Sequence, residues 1–272
     1  MNKKVKNISV VALLVILSFI AIFPFIWMIF SSFKENTEFY QVPPSLLPKK
    51  FQLSNFIDLN ENFDFTKYYL NSIFVTFVQV ISNIVIVLLA GYGFAKFKFK
   101  MRGPFFSMIL ASTMVPWVAT IIPLYIMANK AGLIDSYLGL IIPGMADAFS
   151  IFLARNFIAG IPDPLLEAAR MDGANELTIF RKIVLPSCKP IIAVITITKL
   201  VASWNAFQWP LLAVNSEKYR TVPLAISLLS GQYNDAYNLK LAAAAAAVIP
   251  ILIVYIAFQK YFVEGVSLSG IK

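Results

Sequence analysis

The sequence predicts an all-α membrane protein with six transmembrane helices, and three observations support this fold class. Hydrophobic residues make up 59% of the 272 residues and the mean hydropathy is +0.75, well above the composition of soluble domains. Several uncharged segments reach the roughly 20 apolar residues that a spanning helix needs. Lys and Arg are also distributed unevenly between alternate connecting loops, as is typical of membrane proteins with a fixed orientation.

The six predicted spans fall into two groups. Four segments carry no charged residue: 7–33, 68–95, 103–129 and 241–259. Two further segments carry one each, because Asp147 interrupts 137–154 and Lys199 interrupts 190–214. A single charge is tolerated in a span when it faces a bundle interior or a cavity. We therefore expect a single transmembrane domain that covers residues 1–272.

The predicted orientation places both termini in the cytoplasm. In that arrangement the inner segments hold 14 Lys and Arg residues and the outer segments hold eight. The polar loop over about 158–189 then lies on the cytoplasmic side. The net charge of +9 is explained by this orientation and by attraction to the lipid bilayer, and it gives no support for nucleic-acid binding.

Several catalytic and metal-binding classes are excluded by composition. The chain has one cysteine, Cys188, and no histidine, so it cannot form an intrachain disulfide, a Cys/His metal cluster or a histidine-based triad. We predict no metal site and no catalytic residue. The charges within the spans suggest instead an ion pair between Asp147 and Lys199, with snorkelling of Lys199 towards the cytoplasmic face as the alternative.

The loop over 158–189 has the features of a helix-turn-helix elbow. Asp163 and Pro164 predict a helix start, with Asp163 as the N-cap. Gly173 suits a sharp helix end, and a second helix is expected from residue 176 until Leu185 and Pro186 stop it. In the first helix we expect an apolar face formed by Leu165, Leu166 and Ala169 beside a charged pair, Glu167 and Arg170.

Seven positions of this loop follow a fixed spacing over 20 residues. They are Glu167, Ala168, Ala169, Gly173, Ile183, Leu185 and Pro186. This pattern, in which Asp172 directly precedes the glycine, resembles the cytoplasmic coupling loop of bacterial ABC importer permeases. The resemblance implies that the loop docks on a separate ATPase and transmits its movement to the spans.

A second motif lies in the fifth predicted span. Trp204, Asn205, Phe207 and Pro210 match the Trp-Asn-x-Phe-x-x-Pro signature of the carbohydrate-uptake branch of these permeases. With the Gly-rich C-terminal tail that begins at Gly265, the resemblance covers nearly the whole chain. It is greatest to the second, six-span permease of maltose-type systems.

The segment around this second motif is a candidate substrate path. Trp204 and Gln208 are four residues apart, as are Asn205 and Trp209, so on a continuous helix these pairs would share a wall. Amides and flat rings suit sugar hydroxyls and sugar faces. The alternatives are an aromatic belt at the membrane interface and hydrogen bonding of Asn205 between helices.

The resemblance also implies partners and a location. A second, homologous permease, two copies of an ABC ATPase that bind ATP and Mg²⁺, and an external or periplasmic sugar-binding protein would complete the importer in the bacterial cytoplasmic membrane. This chain would hold no cofactor and no ATPase site of its own. Permeases for glycerol phosphate, amino acids or peptides share the loop pattern and stay as alternatives, as does a carrier or channel that uses no ATP. An intramembrane enzyme is disfavoured because only Asp147 and Lys199 could supply chemistry at depth.

Overall fold

A computed structural model describes residues 3–232 and 235–269 of the chain. Regular structure within these residues is entirely helical, which confirms the all-α prediction. The α-helices are α1 Lys3–Ser31, α2 Ser54–Phe63, α3 Phe65–Lys96, α4 Arg102–Ser112, α5 Trp117–Lys130, α6 Tyr137–Ile141, α7 Ala148–Ala159, α8 Asp163–Met171, α9 Glu176–Ile179, α10 Leu185–Ser187, α11 Lys189–Trp204, α12 Gln208–Ala213, α13 Val222–Gln232 and α14 Tyr237–Ser269. A π-helix, Phe180–Val184, joins α9 to α10. The last residues of the predicted tail, Gly270 to Lys272, lie outside the described residues.

Three described helices are long and apolar enough to cross a membrane alone, and three bent pairs bring the number of spans to six if each pair counts as one. The three spans formed by a single helix lie in α1, α3 and α14. The bent pairs make angles of 103° between α4 and α5, 44° where the helix that starts at Tyr137 meets α7, and 77° between the segment Glu176–Ser187 and α11. The orientation of the termini stays a prediction.

The third and fourth predicted spans are each broken into two helices, and each break has a local cause. Pro116 is the N-cap of α5, and the proline ring clashes sterically with helical backbone at the residue before it. In the fourth span, Asp147 adopts extended backbone, and its side chain accepts a hydrogen bond from the Ser150 amide. Asp147 therefore starts a new helix instead of lying within one.

The chain forms two compact units, Met1–Lys67 with Ala225–Ile249, and Tyr68–Leu224 with Pro250–Lys272. In the first unit, the buried Asn55 amide donates to the carbonyls of Ser32 and Lys34, both at 2.9 Å, and its oxygen accepts from Asn238 at 2.8 Å. These bonds fix the connection between α1 and α2 and attach it to the start of α14.

Helix α3 belongs to the second unit from Tyr68 onward. Its 32 residues extend over about 48 Å at the usual rise per residue, more than the roughly 30 Å of a hydrocarbon core. One face carries buried polar side chains at helical spacing, namely Ser72, Thr76, Gln79 and Asn83. Gln79 donates to the Leu140 carbonyl at 2.8 Å, and such bonds satisfy polar groups that would be costly in an apolar environment.

The hydrophobic core of this unit lies against the polar loop. It joins the last turns of α3 with α7, α8, α9, the π-helix and the first half of α11 through buried side chains that include Leu88, Ile158, Leu166, Ile179 and Ile195. The loop is therefore packed on the helices over its inner side.

Close packing of α3 on α7 depends on Gly91. A Cβ at this position would lie 2.8 Å from the Ala154 Cβ and 3.0 Å from the Arg155 nitrogen. We expect Gly91→Val to destabilise the protein by about 1–3 kcal/mol, the usual cost of overpacking, and to lower the thermal midpoint measured by differential scanning fluorimetry in detergent. Gly93→Val is the matched control, because a Cβ there meets no atom within 4 Å. Equal midpoints for the two variants would contradict the packing argument.

Candidate functional site

The polar loop folds as the predicted elbow of α8 and α9. Gly173 has a φ of +80°, and the amides of Gly173 and Ala174 donate to the carbonyls of Arg170 and Ala169, both at 3.0 Å. This Schellman arrangement closes α8 and needs a residue that adopts positive φ without strain. The side chain of Asn175 then caps α9 by accepting from the Thr178 amide at 2.8 Å. The turn geometry was thus predicted correctly from Gly173.

The outer side of the elbow is exposed. Glu167, Ala168 and Asp172 are all exposed, and among the described residues the Glu167 carboxylate has no hydrogen-bond or ion-pair partner. Met171 and Leu177 expose 88% and 61% of their surface. The elbow therefore presents a free carboxylate and apolar side chains to whatever binds there.

The structure corrects one detail of the predicted elbow, the position of Leu165, and shows which carboxylate Arg170 contacts. Leu165 does not share the inner face with Leu166, since it is 49% exposed whereas Leu166 is 1% exposed; adjacent residues of a helix point about 100° apart. Arg170 binds Glu176 and not Glu167, with Nε 2.7 Å from Oε1. Glu167 is consequently left free.

The inner side of the elbow is held by two residues of α3. The Tyr92 hydroxyl donates to Glu176 Oε2 at 2.6 Å, so Glu176 bridges α3 and Arg170. The Lys96 ammonium is nearly buried and lies 2.7 Å from Asp163 Oδ1; it also donates to the carbonyls of Ala159 and Ile161. The sequence pattern did not reveal Tyr92 or Lys96, although Lys96 directly follows the predicted span 68–95.

Asp163 has a different role from the one predicted. Pro162 is the N-cap of α8, and Asp163 is its first residue. The hydrogen bond and charge of Lys96 hold the pKa of the Asp163 carboxyl below its usual value. The carboxylate thus attaches the beginning of α8 to the end of α3.

The second half of the motif continues where a helix stop was expected. Ile183 and Leu185 are half-buried, pack against the core cluster and flank the buried Val184. Pro186 is exposed in the short helix α10 and does not end the helical segment, which runs to Ser187. The π-helix before Leu185 gives an irregular backbone, which accommodates a proline that has no amide hydrogen to donate.

The predicted substrate-path residues do not lie on one continuous helix. Helix α11 ends at Trp204, and α12 starts only at Gln208. The assumed pairing of residues four apart was therefore wrong. The break nevertheless brings several of them to one cavity of about 550 Å³, whose lining includes Gln79, Lys199, Asn205, Phe207, Gln208 and Trp209.

Trp204 belongs to a different surface. Its ring is buried and meets Tyr69 edge-on with centroids 5.5 Å apart. It also lines an apolar cavity of about 410 Å³ with Phe77 and Leu200. Trp209, by contrast, reaches the larger cavity while its indole N–H donates to the Gly139 carbonyl at 2.9 Å.

The predicted ion pair between Asp147 and Lys199 is not formed. Within residues 3–232 and 235–269, no oxygen of Asp147 lies within the 4.0 Å ion-pair distance of Lys199. The Asp147 oxygens instead accept from Asn83 Nδ2 at 3.0 Å and from the Ser150 amide at 2.7 Å. The carboxylate is thus engaged as a helix cap, while Lys199 faces the cavity.

Known proteins resemble this chain over nearly its whole length. The arabinooligosaccharide transport permease AraQ of Halalkalibacterium halodurans is 33% identical over 259 residues, which cover 94% of this chain and 93% of the relative. The sn-glycerol-3-phosphate transport permease UgpE of Pectobacterium atrosepticum is 32% identical over 239 residues, with 85% of each covered.

A solved structure gives the same assignment. A chain of a bacterial ABC transporter that imports the acidic polysaccharide alginate superposes with a TM-score of 0.85 at 27% identity, covering 96% of this chain and 99% of that one. The family model described as the binding-protein-dependent transport system inner membrane component matches residues 83–268. This range includes the elbow and the part of the cavity lining between residues 199 and 209. The chain therefore belongs to this family of multi-pass membrane permeases.

Proposed function

We propose that this chain is the transmembrane permease subunit of an ATP-driven ABC importer for a carbohydrate in the bacterial cytoplasmic membrane. It forms half of the translocation path and holds no ATPase site. The observation that carries this proposal is the elbow, whose outer side presents Glu167, Met171 and Leu177 to a partner and whose inner side is attached to α3. The solutes named for the arabinooligosaccharide and alginate systems support a carbohydrate.

The remaining subunits follow from this role. A second, homologous permease completes the path, two ATPase copies bind ATP and Mg²⁺, and an external binding protein delivers the solute. Closure of the ATPase pair moves the elbow, and the elbow moves the spans as rigid bodies. Among the described residues, no three His, Cys, Asp or Glu side chains form a candidate metal site.

Copurification from the native host tests the proposal. The chain is tagged, the membranes are solubilised mildly, and mass spectrometry identifies what is retained at defined stoichiometry. We expect one distinct permease and an ATPase in two copies. Recovery of this chain alone, as a homo-oligomer without an ATPase even after crosslinking, would contradict the proposal and favour a carrier or channel.

One of the named relatives raises glycerol phosphate as an alternative solute. The glycerol phosphate permease transports a small phosphate ester, whereas the cavity here has a volume of about 550 Å³ and exposes the Trp117 ring in its lining. A flat ring suits the C–H face of a sugar. The cavity therefore favours a carbohydrate over a small phosphate ester without a ring.

A further inference from the structure

We propose that Lys199 binds an anionic group of the solute, so that the imported carbohydrate is acidic, with a carboxylate or a phosphate as its anion. This inference rests on the proposed function and adds the chemical class of the solute. It is carried by the position of one side chain in the cavity between α11 and α12.

Among the described residues that line this cavity, Lys199 is the one with a charged side chain. The volume of about 550 Å³ is within the usual range of small-molecule sites. The other lining side chains are uncharged and include amides and aromatic rings. An anion that enters the cavity therefore meets a single positive charge. A charge of this kind is more effective there than in water.

The ammonium of Lys199 is available to a ligand. In the described parts of the chain it has neither a hydrogen bond within 3.5 Å nor an ion pair within 4.0 Å. Asp147 acts on it electrostatically without contacting it, because the Asp147 oxygens accept from Asn83 and Ser150. An unpaired ammonium in a membrane segment is costly, and an anionic group of the solute would satisfy it.

Neighbouring groups suit the rest of a sugar. Gln208 is exposed in the lining and has no hydrogen-bond partner within the described residues, so its amide can both donate to and accept from hydroxyl groups. The Nδ2 group of Asn205 donates to the Val201 carbonyl at 3.0 Å, which leaves its amide oxygen for a hydroxyl donor. Trp117, at 45% exposed, offers a ring face. The cavity thus combines an anion site with sites for hydroxyls and for a sugar ring.

The test measures uptake by the complete importer in proteoliposomes, with its binding protein and ATPase. Three solutes are compared: an oligouronide, a neutral oligosaccharide of equal length, and a sugar phosphate. We expect ATP-dependent uptake of the oligouronide or the sugar phosphate, and the arm that responds identifies the anion. Lys199→Gln should reduce that uptake roughly tenfold or more, as expected for loss of a hydrogen bond to a charged group.

Two variants separate charge recognition from misfolding. Lys199→Arg keeps the positive charge and should retain most of the uptake. Lys130→Gln removes a charge from an exposed position at the end of α5 outside the cavity lining and should leave uptake unchanged. Assembly with the ATPase is verified for each variant by copurification.

The outcomes distinguish the inference from the proposed function. ATP-dependent uptake of the neutral oligosaccharide alone, unchanged in Lys199→Gln, would overturn the anion site and leave the carbohydrate importer standing. Absence of ATP-dependent uptake of all three solutes by the assembled complex would overturn both.

Discussion

Gly173→Pro is expected to abolish solute uptake while the chain still inserts and assembles. Proline fixes φ near −65°, whereas Gly173 has a φ of +80° and its amide donates to the Arg170 carbonyl. The substitution would break the turn between α8 and α9 and displace the docking surface. Uptake and ATP hydrolysis are measured together in proteoliposomes, and the number of solute molecules taken up per ATP should fall towards zero.

A graded series at the same position distinguishes strain from general damage. Asparagine tolerates the left-handed conformation better than other residues, so Gly173→Asn should retain most of the uptake, whereas Gly173→Val should lose much of it. An unchanged number of solute molecules taken up per ATP in both Gly173→Pro and Gly173→Val would show that the turn conformation is not required.

Charge reversal at Glu167 should uncouple the complex without disturbing the fold. The carboxylate is exposed and has no partner within the described residues, so Glu167→Lys changes only the surface that the elbow presents to the proposed ATPase partner. We expect unchanged thermal stability of the isolated chain and a loss of ATP-driven uptake. Glu61→Lys, at an exposed position of α2, is the matched control. Normal uptake by Glu167→Lys would argue against docking at this residue.

Lys96→Met is expected to lower uptake strongly by loosening the elbow from α3. The Lys96 side chain is 5% exposed, and its loss leaves the Ala159 and Ile161 carbonyls and the Asp163 carboxylate without their donor. Loss of a buried donor of this kind corresponds to roughly tenfold or more in an equilibrium. We expect ATP hydrolysis to continue and uptake per ATP to fall by a similar factor.

Lys98→Met is the matched control for this prediction. It removes the same charge two residues further on, where the side chain is exposed. Tyr92→Phe tests the neighbouring attachment, because it removes only the hydroxyl that donates to Glu176. Equal uptake per ATP in Lys96→Met and Lys98→Met would show that the attachment through Lys96 does not contribute to coupling.

The elbow could be predicted from the sequence because its determinants are local. Gly173 follows the first helix at the position that a Schellman turn requires. The apolar residues Leu166 and Ala169 are three apart, which is the spacing that places them on one buried side of a short helix. The polar loop also separates two apolar segments of the sequence, so it could be placed between two spans. Contacts of this type depend on residues within one or two turns of each other.

The breaks within the spans were not predicted because hydropathy measures how apolar a segment is and not its direction. Pro116 and Asp147 each carry a local signal for a new helix start, a proline and an N-cap residue, but hydropathy assigns each of them to one predicted span. The break at Asn205 also overturned the pairing of residues four apart.

The attachment of the elbow could not be predicted because it depends on residues far apart in the chain. Lys96 and Asp163 are separated by 67 residues, and Tyr92 and Glu176 by 84. The partner of Asp147 was misassigned for the same reason. The sequence offered Lys199 as the only opposite charge within the predicted spans, but the Asp147 carboxylate accepts a hydrogen bond from the amide of Asn83, which is 64 residues away.

Site-specific photocrosslinking tests the central claim most directly, which is that the outer side of the elbow docks on the ATPase. A photoreactive amino acid is placed at Ala168, which is exposed on the elbow, and separately at Val42, which is 94% exposed in the connection after α1. We predict that the assembled importer gives an ATPase adduct from position 168 and none from position 42. An ATPase adduct from position 42, or none from position 168 in a complex that contains the ATPase, would contradict both the docking role of the elbow and the predicted orientation.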